Sequence, residues 1–135
     1  MGNNVQIVQD AYAKFATGDI QGLIGLCSED VHWQTPEIEN TPLGGVKKGH
    51  AGVAEFFSLL VTSEDITKFE PLEFIAQGDR VVVLGKHCAV VKETGRSYET
   101  DWVQIFTIED GKISSFVEFF DNALASRAFQ KSATA

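Results

Sequence analysis

Apolar residues first recur at helical spacing. Val5, Val8, Tyr12 and Phe15 share one side of a helix that Asn3 or Asn4 can cap and Gly18 can end. Asp19 can cap a short second helix carrying Ile20, Leu23, Ile24 and Cys27. Gly22 and Gly25 weaken that helix, so it depends on packing. A brief strand, Val31–Thr35, is stopped by Pro36. Residues 36–49, with two prolines and several glycines, read as a loop, either a functional lid or a solvated connector. Val53, Phe56, Phe57 and Leu60 then mark a third helix.

From Ile66 onward the pattern changes to strands over 66–76, 80–93, 97–109 and 112–120. The separators Gln77-Gly-Asp79, Thr94-Gly95 and Asp110-Gly111 are turn chemistry, which predicts antiparallel neighbours. Pro71 suits an edge strand or a bulge. Asp121 can cap a last helix reaching Phe129. Helices followed by a meander imply an α+β layer architecture in one domain spanning residues 1–135. Val81, Val83 and Val91 alternate with Val82, Leu84 and Val90, so both faces of the sheet are apolar. The helices cover one face, and a homodimer through the sheet would cover the other.

The 135 residues suit a single core, and ten Phe supply both core volume and flat walls for an apolar ligand. The net charge of −8 opposes nucleic acid and anionic membrane as partners. Cys27 and Cys88 have no paired spacing and read as small buried hydrophobes. The N-terminal stretch lacks the pattern of a signal peptide, and no apolar run approaches the roughly 18 residues of a membrane span. A cytoplasmic protein is the expectation. His32, His50 and His87 lack the spacing of a zinc motif, and no phosphate-binding or dinucleotide glycine signature occurs. Neither metal nor cofactor is expected.

Strand alternation selects the candidate chemistry. Phe116, Glu118 and Phe120 share a face of the last strand. A carboxylate between two phenyl groups on a buried face would have its charged form disfavoured, which suits proton transfer near neutral pH. At the sheet rim, solvated or paired to a lysine, it would have no such role. His87 alternates with Gly85 and Ala89, opposite Lys86, Cys88 and Lys92, so it should point inward, as a proton shuttle or as a structural histidine. On strand 97–109, either Thr100, Trp102, Gln104 and Phe106 face inward, or Asp101, Val103 and Ile105 do. Trp33 and Thr35 share a face of the short strand. Phe56, Phe57 and Leu60 fit a helical core stripe.

Gly18-Asp-Ile20, Ser28-Glu-Asp-Val-His-Trp33, Lys48-Gly49, and Asp110-Gly-Lys-Ile113 leading to Phe116-Val-Glu-Phe-Phe-Asp121 occur in an order that spans nearly the whole chain. This order resembles the nuclear-transport-factor-2-like superfamily, which includes ketosteroid isomerases, limonene epoxide hydrolases, scytalone dehydratases and SnoaL-like polyketide cyclases. The resemblance implies a cone of helices and curled, mostly antiparallel sheet around a cavity, often dimeric through the sheet. Ungapped registers place Ala11, Thr35 and Val103 where the isomerases have their tyrosine, base and protonated aspartate, so that machinery is missing. Glu118 matches the water-activating carboxylate of the hydrolases. His87 stands where those have a second carboxylate, and Gly85 where they have an arginine. The hydrolase register also turns Trp102 and Gln104 inward, whereas the isomerase register turns Asp101 and Val103.

The reading is therefore a SnoaL-like protein with an apolar pocket for a small hydrophobic molecule. Glu118 and His87 would perform cofactor-free acid/base chemistry of an isomerase, cyclase, dehydratase or hydrolase type. Trp33, Thr35, Trp102, Gln104, Phe116 and Phe120 would form the binding walls. A non-catalytic ligand-binding module and a dimeric interaction domain are the alternatives.

Overall fold

A computed structural model describes residues 3–131. Met1 and Gly2, part of the N-terminal stretch read above, lie outside the described residues. The elements are α1 (Asn3–Ala16), α2 (Ile20–Gly25), β1 (Cys27–Thr35), β2 (Gly45–Lys48), α3 (Gly49–Ser63), β3 (Glu64–Gln77), β4 (Arg80–Val91), β5 (Ser97–Glu109), β6 (Lys112–Phe120) and α4 (Asn122–Phe129). Among the described residues no helix is long and apolar enough to cross a membrane.

The capping residues act as their chemistry requires. The Asp19 carboxylate accepts from Gly22 N at 2.9 Å and starts α2. The Asp121 carboxylate accepts from Leu124 N at 3.0 Å and starts α4. At the β5–β6 turn Asp110 and Gly111 have φ of 52° and 74°, the left-handed pair that a two-residue hairpin needs.

The strands form one open mixed sheet in the order β2-β1-β6-β5-β4-β3. Strands β3 to β6 make the expected antiparallel meander, and β1 joins it parallel to β6. The sheet curls around the core with β2 and β3 as unjoined edges, so strand pairing does not close a barrel. Pro71 sits on edge strand β3 where the register shifts between Pro71 and Glu73, a place where no ladder bond has to be donated. Strand β2 corrects the reading of 36–49 as uninterrupted loop. Only Val46 in Gly45–Lys48 is apolar, and the strand exists by pairing with Gln34 and its neighbours in β1.

The inner face packs under α1, α2 and α3. Val8, Val31, Val53, Val81, Val83 and Val91 are fully buried there. On the outer face Val82, Leu84, Val103, Ile105 and Val117 are half-buried, and Phe119 is exposed. Strand β5 resolves its two possible registers: Thr100, Trp102, Gln104 and Phe106 are buried, whereas Asp101 turns outward to Lys86 at 3.4 Å.

Candidate functional site

Between the inner face of the sheet and the helices lies a cavity of about 90 Å³. Its walls are built by strand alternation. Strand β1 contributes Trp33 and Thr35; β5 contributes Tyr98, Thr100, Trp102, Gln104 and Phe106; β6 contributes Phe116, Glu118 and Phe120. The helices add Tyr12, Phe15, Phe56, Phe57 and Leu60, and the 36–44 loop adds Ile38 and Leu43. Thus Phe56, Phe57 and Leu60 belong both to the core and to the cavity wall. Trp33 stacks on Phe116 with ring centres 3.9 Å apart, a consequence of the Trp33–Phe116 register between β1 and β6. Trp102 stacks on Phe69 at 5.0 Å.

Gly85 is what allows that second stack. A Cβ at this position would run into the Trp102 ring and the Glu70 carbonyl, so the position admits no side chain while the indole lies across it. A long charged side chain, such as an arginine, has no room there.

Every site residue expected from the sequence lines this one cavity: Glu118, His87, Trp33, Thr35, Trp102, Gln104, Phe116 and Phe120. The polar ones, however, do not form a single constellation. In the first cluster, the Tyr12 hydroxyl donates to Gln104 Oε1 at 2.6 Å, and Gln104 Nε2 donates to Glu118 Oε2 at 2.7 Å. Gln104 thus has its amide orientation fixed from both ends. Burial raises the Glu118 carboxyl to about 7; the Gln104 hydrogen bond and His87 pull it down, and Glu64 pushes it up. Burial also raises the Tyr12 hydroxyl well above the ordinary phenol range.

In the second cluster, the Tyr98 hydroxyl donates to Glu64 Oε2 at 2.7 Å, and His87 Nε2 lies 3.3 Å from Glu64 Oε1. The Glu64 side chain is 1% exposed, and among the described residues no lysine or arginine lines the cavity. Burial, and then the Glu64 charge, raise the Tyr98 hydroxyl as well.

This arrangement corrects the expected pairing of His87 with Glu118. Strand β5 lies between β4 and β6, so the two residues cannot be cross-strand neighbours. His87 is opposite Thr100 and Glu118 opposite Gln104, which separates them by about 13 Å along β5 alone. The carboxylate beside the imidazole is Glu64. Three polar residues of the site were therefore missed. Tyr98 continues the Thr100, Trp102, Gln104 alternation two residues back. Glu64 continues that of Ile66, once the strand is started at its true beginning. Tyr12 reads as one more apolar position of α1, although it adjoins Ala11, the position the isomerase register assigns to a tyrosine.

The other histidines stand apart. His32 faces Gln34 at 3.2 Å on the exposed side of β1, and His50 Nε2 lies 2.9 Å from the Cys27 carbonyl. Cys27 is buried and Cys88 half-buried, neither in a disulfide; burial pushes the Cys27 thiol up to about 11. Among the described residues no group of three His, Cys, Asp or Glu side chains is placed to hold a metal ion.

A curled sheet, capping helices and an aromatic cavity between them define a class, and comparison with known proteins places the chain in it. The SnoaL-like domain model matches residues 8–116, and the chain belongs to that family. It is similar to solved structures over nearly its whole length. An NTF2-like protein from Burkholderia xenovorans LB400 is 38% identical, with a TM-score of 0.88 over 96% of this chain and 98% of that one. An NTF2-like protein of unknown function from Burkholderia pseudomallei K96243 is 33% identical, with a TM-score of 0.86 over 96% and 99%. TerC, co-crystallised with polyporic acid, is 34% identical, with a TM-score of 0.84 over 93% and 97%. A search of the curated proteins found no match.

Proposed function

We propose that the protein binds a small hydrophobic, largely aromatic molecule in this cavity and moves a proton on it without a cofactor. The observation that carries the reading is the placement of Glu118. It is a carboxylate on an aromatic cavity wall, held by one amide and touched by no cation. A group that titrates near 7 can give or take a proton at neutral pH with little thermodynamic cost in either direction. Gln104 and Tyr12 fix its orientation, and His87, on the same cavity, orients the substrate or supplies the complementary proton. Isomerisation, cyclisation, dehydration and hydration all need this equipment and no electron carrier.

Two further observations support a ligand. Trp33 Nε1 and Trp102 Nε1 are buried donors with no partner, and an acceptor oxygen on a bound molecule could satisfy them. The relative TerC has been crystallised with polyporic acid, which supports a small organic ligand here too. Among the described residues His87 is the one basic side chain on the wall, so a hydroxyl or carboxyl proton of a ligand would be placed there.

The test uses the fact that both tryptophans of the chain line the cavity. Binding of polyporic acid and of a panel of aryl ketones and enones is followed by tryptophan fluorescence. Turnover and deuterium uptake from D2O are followed by mass spectrometry. Glu118→Gln should keep binding and lose proton transfer by a factor of about 10² or more. Unchanged turnover in Glu118→Gln would overturn the role of Glu118. Binding with no turnover in either protein would favour a non-catalytic carrier.

The outer sheet face is also assigned, as a proposal, to a second copy of this chain, because Val82, Leu84, Val103, Ile105 and Val117 leave a continuous apolar strip there around exposed Phe119. Sedimentation of the wild type and of Phe119→Lys tests this: a dimer that the substitution weakens is expected, and a monomeric wild type would contradict it.

A further inference from the structure

The second cluster contains a carboxylate to which the proposed reaction assigns no part. Glu64 leaves α3 as its C-terminal cap and opens β3, and its cross-strand partner is the fully buried Val91. A carboxylate buried to this extent must be supplied with donors or it is expensive to ionise. It has two neighbours that can donate, Tyr98 and His87, and with the carboxylate ionised and the ring neutral the three-way contact allows two arrangements of protons that satisfy the Tyr98 hydroxyl. In one, the Tyr98 hydroxyl donates to Glu64 Oε2 at 2.7 Å, and a proton on His87 Nε2 points at Glu64 Oε1 at 3.3 Å. In the other, the Tyr98 hydroxyl turns to His87 Nε2, 3.4 Å away, and Glu64 receives nothing from either. The first uses the shorter contact and gives the buried carboxylate both donors, so it wins.

The ring is also held in its plane. It stacks on Tyr98 with centres 5.6 Å apart and meets Phe69 edge-on at 6.2 Å. The groups facing it are therefore Glu64 from the start of β3 and Tyr98 from β5, with the Glu118 charge on the same cavity at longer range. With Nε2 committed to Glu64, the other ring nitrogen, Nδ1, has no partner among the described residues.

We propose that Glu64 is a positioning residue: with Tyr98 it holds His87 with the proton on Nε2, so that Nδ1 is the ring atom offered to a molecule in the cavity. The cavity then contains two proton-handling groups that share no hydrogen bond. Glu118 is backed by an amide, and His87 is backed by a buried carboxylate. The proton arrangement is a property of the free protein, and only the use of Nδ1 rests on the cavity being a ligand site.

The experiment is a long-range ¹H–¹⁵N correlation on histidine-labelled protein, without ligand, at a pH where the ring is neutral. His87 is assigned by its absence in His87→Gln. In the wild type, Nε2 should carry the proton, and that proton should exchange slowly with water. Glu64→Gln keeps an acceptor oxygen and should preserve both features. Glu64→Ala should make the exchange at least ten-fold faster while the amide spectrum of the remaining sheet is retained. Should Glu64→Ala not fold, Tyr98→Phe serves instead: the carboxylate remains, and Nε2 should stay protonated and protected. An unprotonated Nε2 in the wild type, or loss of protection in Tyr98→Phe, would overturn the proposal, as would equal protection in a folded Glu64→Ala. Glu118→Gln should leave Nε2 of His87 protonated and protected, so a failure of the Glu118 reading would be seen separately. On titration with polyporic acid, the Nδ1 resonance should move more than Nε2. Fluorescence-detected binding that moves neither would remove Nδ1 as a ligand contact.

Discussion

Glu64 and Glu118 line the same cavity, yet the chain surrounds them with different partners. Glu64 lies at the mouth of a strand with a phenol and an imidazole on its two oxygens, and its side chain is almost completely withdrawn from solvent. Glu118 lies near the end of β6 between two phenylalanines, and its contact is one amide that is itself held by a phenol. Between them along the inner face of β5 stands Trp102, flanked by Thr100 and Gln104. Glu118 receives one hydrogen bond from an amide, whereas the two oxygens of Glu64 face a phenol and an imidazole. The two residues have the same chemistry; their partners make Glu64 the holder of a neighbour, while burial raises Glu118 to about 7.

The largest effect should come from removing the holding carboxylate. Glu64→Ala leaves the Tyr98 hydroxyl and His87 without their shared acceptor, and an unsatisfied buried donor costs about 1–3 kcal/mol for each group. Denaturant unfolding near pH 7 measures it; a loss below about 1 kcal/mol would mean that Glu64 is not a structural anchor of the cluster.

Glu118→Gln should act in the opposite direction. The native carboxyl titrates at about 7 against an ordinary 4.5, so the native state binds more protons than the unfolded chain between those values. Wild-type stability must then fall as pH rises through 4.5 to 7, and stay lowered above it. Glutamine has no charge to bury and can still accept from Gln104. It should therefore be more stable than wild type by up to about 3 kcal/mol at pH 8, with little difference at pH 4. Equal stabilities at both pH values would show that Glu118 is well solvated.

Smaller effects are expected in the scaffold between and behind the two. Gly85→Ala pushes a methyl group into the Trp102 ring and the Glu70 carbonyl, and overpacking should cost about 2 kcal/mol and change the tryptophan emission. Tyr12→Phe removes the hydroxyl that orients Gln104 and should cost about 1 kcal/mol. Denaturant unfolding of that variant measures it.

The strands after Ile66 and the capped helices were legible because their signals are local: alternation, turn residues and Asp19 or Asp121 as caps. The inward set of β5 was not fixed by alternation alone, since both faces of that strand carry apolar residues and only the packing of Trp102 over Gly85 chooses between them. The eight site residues named from the sequence reach the cavity because alternation on β1, β4, β5 and β6 puts them there. Their grouping was hidden. It depends on the offset along β5 between the positions opposite His87 and Glu118, and on a glutamate at a helix exit where Thr62-Ser63-Glu64-Asp65 reads as a polar surface. Strand β2 was missed because one valine in four residues carries no periodicity.

The division between the two glutamates is tested most directly by titrating the Glu118 side-chain carboxyl in the ligand-free protein, using ¹³C-labelled glutamate with Glu118→Gln to assign the signal. The account predicts a midpoint near 7. A midpoint in the ordinary carboxylate range, near 4.5, would contradict it.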